Sequence, residues 1–176
     1  SFPTRRSSDL NFMGQGSIIG YEINEKTCQI SYYSEEQMEP QTLEVDEDNF
    51  QIPLIIGRLR DTWAYGKEAK RLATVKEGFT VTRLLNRSLA GEKIEFGEET
   101  YDAVWLLSKF IQMSLHDFPE IEGIVFTVPA LTEELAQMLR GIAVRMNIDK
   151  RHIFIQDYKE SFCNYQIGRA SCRERV

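Results

Sequence analysis

The stretch Ser17–Tyr33, SIIGYEINEKTCQISYY, decides the fold, because it reads as two short strands joined by a tight polar turn. Ser17, Ile18, Ile19, Tyr21 and Ile23 form an apolar, β-branched run. Cys28, Ile30 and Tyr32 then alternate with Gln29, Ser31 and Tyr33, the period of a half-buried strand. Between them Asn24-Glu25-Lys26-Thr27 is the turn, since asparagine tolerates a left-handed backbone. Glu22 stands at the end of the first strand, toward whatever the turn encloses. A strand, an acid, a tight turn and a second strand can hold a phosphate and its metal. The same parts make an ordinary hairpin, and the residues alone leave both readings open.

The two ends differ from the rest. SFPTRRSSDL (Ser1–Leu10) and IGRASCRERV (Ile167–Val176) are rich in Arg and Ser and lack apolar periodicity. They resemble in-frame translations of a sequencing adapter and are set aside as artefactual tails. Met13 is then a candidate native start, and residues 11–166 are expected to be one lobe of a longer, truncated domain. The net charge is −6, although Arg5, Arg6, Arg169, Arg173 and Arg175 in the ends outweigh Asp9 and Glu174. An interior that acidic argues against nucleic acid as a partner, which needs a basic stripe. With no apolar run of bilayer length and no signal peptide, no membrane partner is expected and a cytoplasmic location is. Cys28 and Cys163 have no Cys-x-x-Cys spacing, and His116 and His152 lack ligand-spaced partners. These residues therefore support neither a metal set nor a disulfide framework.

Outward from the hairpin, Ser34–Asp48 is acidic, is broken by Pro40, and ends in a third short strand where Thr42, Leu43 and Val45 alternate with polar residues. Gln51–Ile56 is an apolar run that Pro53 confines to an edge or a bulge. Trp63–Tyr65 reads as extended, Gly66 as a turn and Lys67–Ala73 as a short helix. Thr80–Leu89, the turn Ala90-Gly91-Glu92 and a small strand Lys93–Phe96 complete an inserted sub-lobe over 51–97. Glu98, Glu99 and Thr100 are expected to start a helix whose repeat runs from Tyr101 through Trp105 to Leu115, until Pro119. Trp63 and Trp105 are expected in the core. Ile121–Val128 is a buried strand stopped by Pro129, and Thr132 caps a helix that Asn147 ends. His152–Ile155 is the last strand, followed by a helix from near Tyr158. Three antiparallel strands, helix, strand, helix, strand is the order of an α/β fold, a ribonuclease-H-like mixed sheet flanked by helices.

Several segments stand in a telling order: Ile19-Gly20-Tyr21-Glu22-Ile23-Asn24-Glu25-Lys26, Ile52-Pro53-Leu54, Gly66-Lys67-Glu68-Ala69-Lys70, Thr82-Arg83-Leu84-Leu85-Asn86-Arg87, Phe126-Thr127-Val128-Pro129-Ala130 and Ile155 to Tyr165. With them the chain resembles the first half of the ATPase domain of the heat-shock chaperones, in the actin and sugar-kinase superfamily, whose matching segments read IGIDLGTT, IPS, GDAAK, KRLIGR, VTVPA and INEPTAAALAYG. The resemblance implies an actin-like ATPase lobe that uses ATP and Mg2+ in the full-length protein. It gives Glu22 and Asp157 to the metal, and it puts Asn24, Glu25, Lys26 and Thr27 in the place of the phosphate loop. Lys70 would reach the γ-phosphate and the attacking water, with Asp157 as the second catalytic residue. Such hydrolysis needs charge and positioning more than covalent chemistry. A carboxylate at Glu25 would repel a phosphate charge 4 Å away by about 4 kcal/mol in a surface dielectric. The missing loop glycine also limits the approach of backbone donors. Hydrolysis is therefore expected to be weak or lost in a chaperone-like domain with a protein client. The alternatives are a non-catalytic scaffold with Glu35–Asp48 as its partner surface, and a filament-forming relative of bacterial actin.

Overall fold

The computed structural model describes residues 16–34 and 37–158. Both tails, Met13, Cys163, Cys172 and the helix expected beyond Tyr158 lie outside the described residues. The chain begins with β1 (Ser17–Ile23), β2 (Thr27–Ser34) and β3 (Gln37–Thr42), an antiparallel meander. β4 (Gln51–Pro53) pairs with the start of β2. A three-stranded sheet follows, made of β5 (Ile56–Leu59), β6 (Thr62–Tyr65) and β7 (Gly78–Val81), with helix α1 (Gly66–Arg71) between the last two. Helix α2 (Leu84–Leu89) leads to a hairpin of β8 (Lys93–Phe96) and β9 (Glu99–Asp102). Helix α3 (Ala103–Ser114), β10 (Ile121–Val128), helix α4 (Glu133–Arg145) and β11 (Ile153–Asp157) complete the described chain. β10 runs parallel to β1, and β11 parallel to β10, so the main sheet is mixed, in the order β11-β10-β1-β2-β3.

The apolar run read as β1 alternates in burial and sets the two faces of this sheet. Ile19, Tyr21 and Ile23 are fully buried, while Ile18 and Glu22 point the other way and are exposed. Tyr21 and Phe126 meet edge to face at 5.7 Å across the parallel pair. α3 and α4 cover this buried face. Leu106, Leu107, Phe110 and Ile111 of α3, with Leu135, Leu139, Ile142 and Ala143 of α4, share one core with Ile124, Phe126, Val128 and Ile153. The polar anchor of that layer is the Tyr21 hydroxyl, 2.7 Å from Ser114 Oγ, which itself donates to the Ile111 carbonyl. A β-carbon at Gly20 would lie 2.4 Å from Ser31 Oγ on β2, so any side chain there needs the Ser31 hydroxyl to rotate away. α4 starts as expected, with Thr132 Oγ1 accepting from the Leu135 amide and Glu133 and Glu134 in the first turn. Asn147 takes the left-handed conformation at φ 66°.

Four expectations need correction. Glu98–Thr100 does not start the long helix. Gly97, at φ +64°, turns the chain back so that Glu99 pairs with Phe96, and the helix begins after Asp102. The local acidity that signalled a helix start was overridden by a strand whose Tyr101 packs among aromatic rings. The third strand lies earlier than expected, at Gln37–Thr42, because Asp48, at φ 56°, reverses the chain and pairs Val45 and Asp46 with Asn49 instead. β5 and β7 were not expected. Neither alternates cleanly, since Gly57 and Gly78 interrupt them. Trp105 is 42% exposed rather than in the core. Within the expected sub-lobe, residues 51–53 pair with β2 of the main sheet, and the separate small sheets begin at Ile56.

Because the Tyr21 hydroxyl is buried against Ser114, removing one partner costs more than removing both. Ser114→Ala is expected to destabilise the protein by roughly 1–3 kcal/mol. The double variant Tyr21→Phe/Ser114→Ala should lose less than that single one, as read from urea unfolding midpoints.

Candidate functional site

Since β1, β10 and β11 are parallel, their C-terminal ends gather at one edge of the sheet, the edge that also carries the β1–β2 turn. In open α/β sheets this edge is where ligands bind. Glu22, Thr127 and Gln156 stand in register across it, and Gln156 Nε2 donates to Thr127 Oγ1 at 3.3 Å. Asp157 is the next residue along and pairs with Val128, so the pleat turns it to the covered face while Glu22 stands exposed on the other. The two acids assigned to a metal thus share the strand-end edge but project from opposite faces of the sheet. Among the described residues no group of three or more His, Cys, Asp or Glu is placed to hold a metal ion.

The turn satisfies itself. Asn24 Oδ1 accepts from the amides of Lys26 (2.8 Å) and Thr27 (2.9 Å), an Asx turn, and its Nδ2 donates to Thr27 Oγ1 at 3.3 Å. Both the carboxamide and the hydroxyl assigned to phosphate are therefore used in the turn. Lys26 is exposed, and its carbonyl accepts from the Leu54 amide at 2.8 Å. Glu25 turns toward the start of α2. Burial raises its carboxyl above the ordinary value of 4.5, and the Asn86 backbone amide and the Arg83 charge offset only part of that. Its Oε2 is buried without a hydrogen-bond partner. Arg83 reaches this position from a left-handed backbone at φ 56°. Lys70 is exposed on α1, whose first amide, at Gly66, donates to the Ile55 carbonyl one residue beyond Leu54. Leu54 and Ile55, which follow β4, thus link the start of α1 to the hairpin turn. The adjacent lysine, Lys67, pairs with Asp46 at 2.7 Å in the acidic segment. Cys28, buried on the covered face, has its thiol pushed up to about 12 by burial, which leaves it unsuited to act as a thiolate.

A second constellation was not found by sequence reasoning. Arg58 lies opposite Trp63 and Phe79 on the small sheet, and its guanidinium sits within 6 Å of the rings of Trp63, Phe96 and Tyr101. It donates to Glu99 and to the Tyr101 hydroxyl, which in turn donates to Glu99 at 2.6 Å. Trp63, Tyr101 and Trp105 pack on one another at 5.0–5.6 Å, and the Lys109 ammonium lies 6.0 Å over Trp63. This group ties the small sheet, the β8–β9 hairpin and α3 into a satellite core. Its one sequence signal was an arginine inside the apolar run Ile55–Leu59. His116 pairs with Asp117 on the surface, and His152 Nδ1 lies 3.2 Å from the Glu122 carbonyl.

The described residues form a mixed α/β sheet with helices on one face and polar groups along its strand-end edge. The chain belongs to a family of unknown function (DUF5716), whose C-terminal model matches residues 39–171. No curated protein matches it.

Two pH effects of opposite sign follow. The Tyr101 hydroxyl and Arg58 hold Glu99 below its ordinary 4.5, so its contribution to stability is complete above that value and is lost as pH falls through the lowered one. Glu99→Gln should abolish that acid-side loss in urea midpoints measured from pH 6 downward. Glu25 is raised instead, so its charged form is penalised in the fold and stability is gained on acidification. Glu25→Gln should raise the urea midpoint at pH 7, with a gain that shrinks as pH approaches 4.5.

Proposed function

We propose that this chain is a lobe of a chaperone-like, actin-type nucleotide-binding domain, and that the full-length protein binds Mg-ATP weakly and hydrolyses it poorly or not at all. The observation that carries the reading is the strand-end edge. The β1–β2 turn, Glu22 at the end of β1, Thr127 on β10 and Asp157 on β11 come together at the C-terminal ends of three parallel strands. The order β11-β10-β1-β2-β3, with an antiparallel meander on one side and a parallel pair on the other, supports a ribonuclease-H-like core. Lys70, exposed on α1, would supply a mobile positive charge for a terminal phosphate. Weak turnover follows from the same geometry. Asn24 and Thr27 are bonded to each other, Glu25 adds negative charge, and Glu22 and Asp157 leave opposite faces of the sheet, an arrangement ill-suited to chelating one ion.

That self-satisfied turn favours a second reading, a scaffold that keeps the fold for contacts with a protein partner and binds no nucleotide. Calorimetric titration with Mg-ATP, paired with a phosphate-release assay, separates the two. The nucleotide reading expects weak saturable heat that falls at least tenfold in affinity in Lys70→Ala, with negligible phosphate release. Absence of heat at millimolar Mg-ATP would leave the scaffold. Rapid phosphate release would overturn the loss of hydrolysis.

A further inference from the structure

The small sheet carries an outlying turn that neither the core nor the strand-end edge accounts for. α1 runs directly into a 3₁₀ turn, Leu72–Thr74, and the chain doubles back at Val75–Gly78 into β7. Leu72 anchors this excursion. It is half-buried, and a β-carbon on Gly57 of β5 would stand 3.2 Å from its Cδ1. Beyond it Ala73, Thr74, Val75, Lys76 and Glu77 are all exposed, Val75 at 41% although it is aliphatic. The Thr74 hydroxyl donates to the Arg71 carbonyl at 3.2 Å, an exposed bond that water replaces at little loss.

The residues around this hydroxyl read Lys70-Arg71-Leu72-Ala73-Thr74-Val75. Arginine stands three residues before it, lysine four before, and an apolar residue follows. Protein kinases with an acidic substrate cleft select such a pattern by charge complementarity. Among the described residues Thr74 is the only serine or threonine with arginine at that spacing. A 3₁₀ turn of exposed residues lies at the low-stability end of a structure, so it can open into an enzyme's cleft at little cost. We propose that Thr74 is a phosphorylation site for a protein kinase that selects basic residues before the hydroxyl, and that Lys70 and Arg71 capture the phosphate formed there. In the reaction Thr74 Oγ1 attacks the γ-phosphorus of the kinase's ATP, the bond to ADP breaks, and the hydroxyl proton passes to the kinase. The product carries a charge of about −1.5 to −2 at pH 7. Lys70 and Arg71 lie four and three residues back along a continuous helical path, the spacings that bring side chains together on one face. Arg71 pairs with exposed Glu68 at 3.0 Å, and such a surface pair exchanges readily for a phosphate. The phosphate would stand near the C-terminus of α1, which the helix dipole disfavours, but at an exposed end that effect is weaker than charge-assisted bonds to a guanidinium. Capture would also withdraw Lys70 from a nucleotide's terminal phosphate. That consequence alone rests on the nucleotide reading.

The full chain, incubated with ATP and a calmodulin-dependent protein kinase, which selects arginine at this spacing, tests the proposal by peptide mass spectrometry. Ser8, with Arg5 three residues before it in the tail, reports that the kinase is active. Thr74 is expected to become phosphorylated, and Arg71→Ala to slow labelling there at least tenfold while Ser8 is unaffected. Phosphorus NMR of the phosphorylated Ser8→Ala chain, with ATP removed, then follows a single phosphate through pH. Its second ionisation is expected below the ordinary value of about 6, and Lys70→Ala should move it back upward. Phosphate on Ser8 but not on Thr74, or equal labelling of Thr74 in Arg71→Ala, would overturn the modification. An ionisation that Lys70→Ala leaves unmoved would overturn the capture. No nucleotide is present in that titration, so failure of the chain to bind Mg-ATP would leave both results standing.

Discussion

The structure depends on β1 being paired on both sides, antiparallel with β2 and parallel with β10. An antiparallel partner needs only the four-residue turn at Asn24–Thr27, whereas the parallel partner lies about a hundred residues later in the sequence. Everything between, including the small sheets, the β8–β9 hairpin and α3, has to fold and return the chain to β1. The return is marked by Tyr21. Its ring packs on Phe126 from the parallel strand, and its hydroxyl is held by Ser114 at the end of α3. One residue thus meets both the returning helix and the returning strand, and it does so from a fully buried position where an unmet hydroxyl is costly.

The chemistry at the strand-end edge follows from how that turn is satisfied. A phosphate loop leaves backbone donors and hydroxyls free for a ligand, but here Asn24 spends its carboxamide on the amides of Lys26 and Thr27. Glu25 leans on the start of α2, where a carboxylate meets a backbone amide and a nearby guanidinium. The turn is therefore stable without a ligand, and this stability opposes tight anion binding. The satellite core around Arg58 solves a different problem. Small strands with little apolar area are held by stacked rings around one cation, whose charge Glu99 balances.

Where local pattern and tertiary context agree, the sequence was sufficient. β2 was legible in its alternation, β1 and β10 as short apolar runs, and α4 in its Thr132 cap and Asn147 stop, because each of these signals acts within a few residues. The misreadings occurred where distant contacts decide. Glu98–Thr100 looks like a helix start until Gly97 folds Tyr101 back onto Trp63 and Phe96. β5 and β7 carry glycines where their neighbours approach closely, which erases the alternation that would reveal them. Of the site residues, Glu22 and the turn could be placed at a strand end from their spacing. That Asp157 leaves the opposite face depends on the pairing register with β10, which no local pattern encodes.

Amide hydrogen exchange across the chain tests the central role of β1 most directly. If β1 is the strand on which the fold is assembled, the amides of Ile19–Ile23 and Ile124–Phe126 exchange slowest, at one shared rate set by global unfolding. Greater protection in the β8–β9 hairpin than in β1, or rapid exchange in β10 while β1 and β2 stay protected, would contradict it.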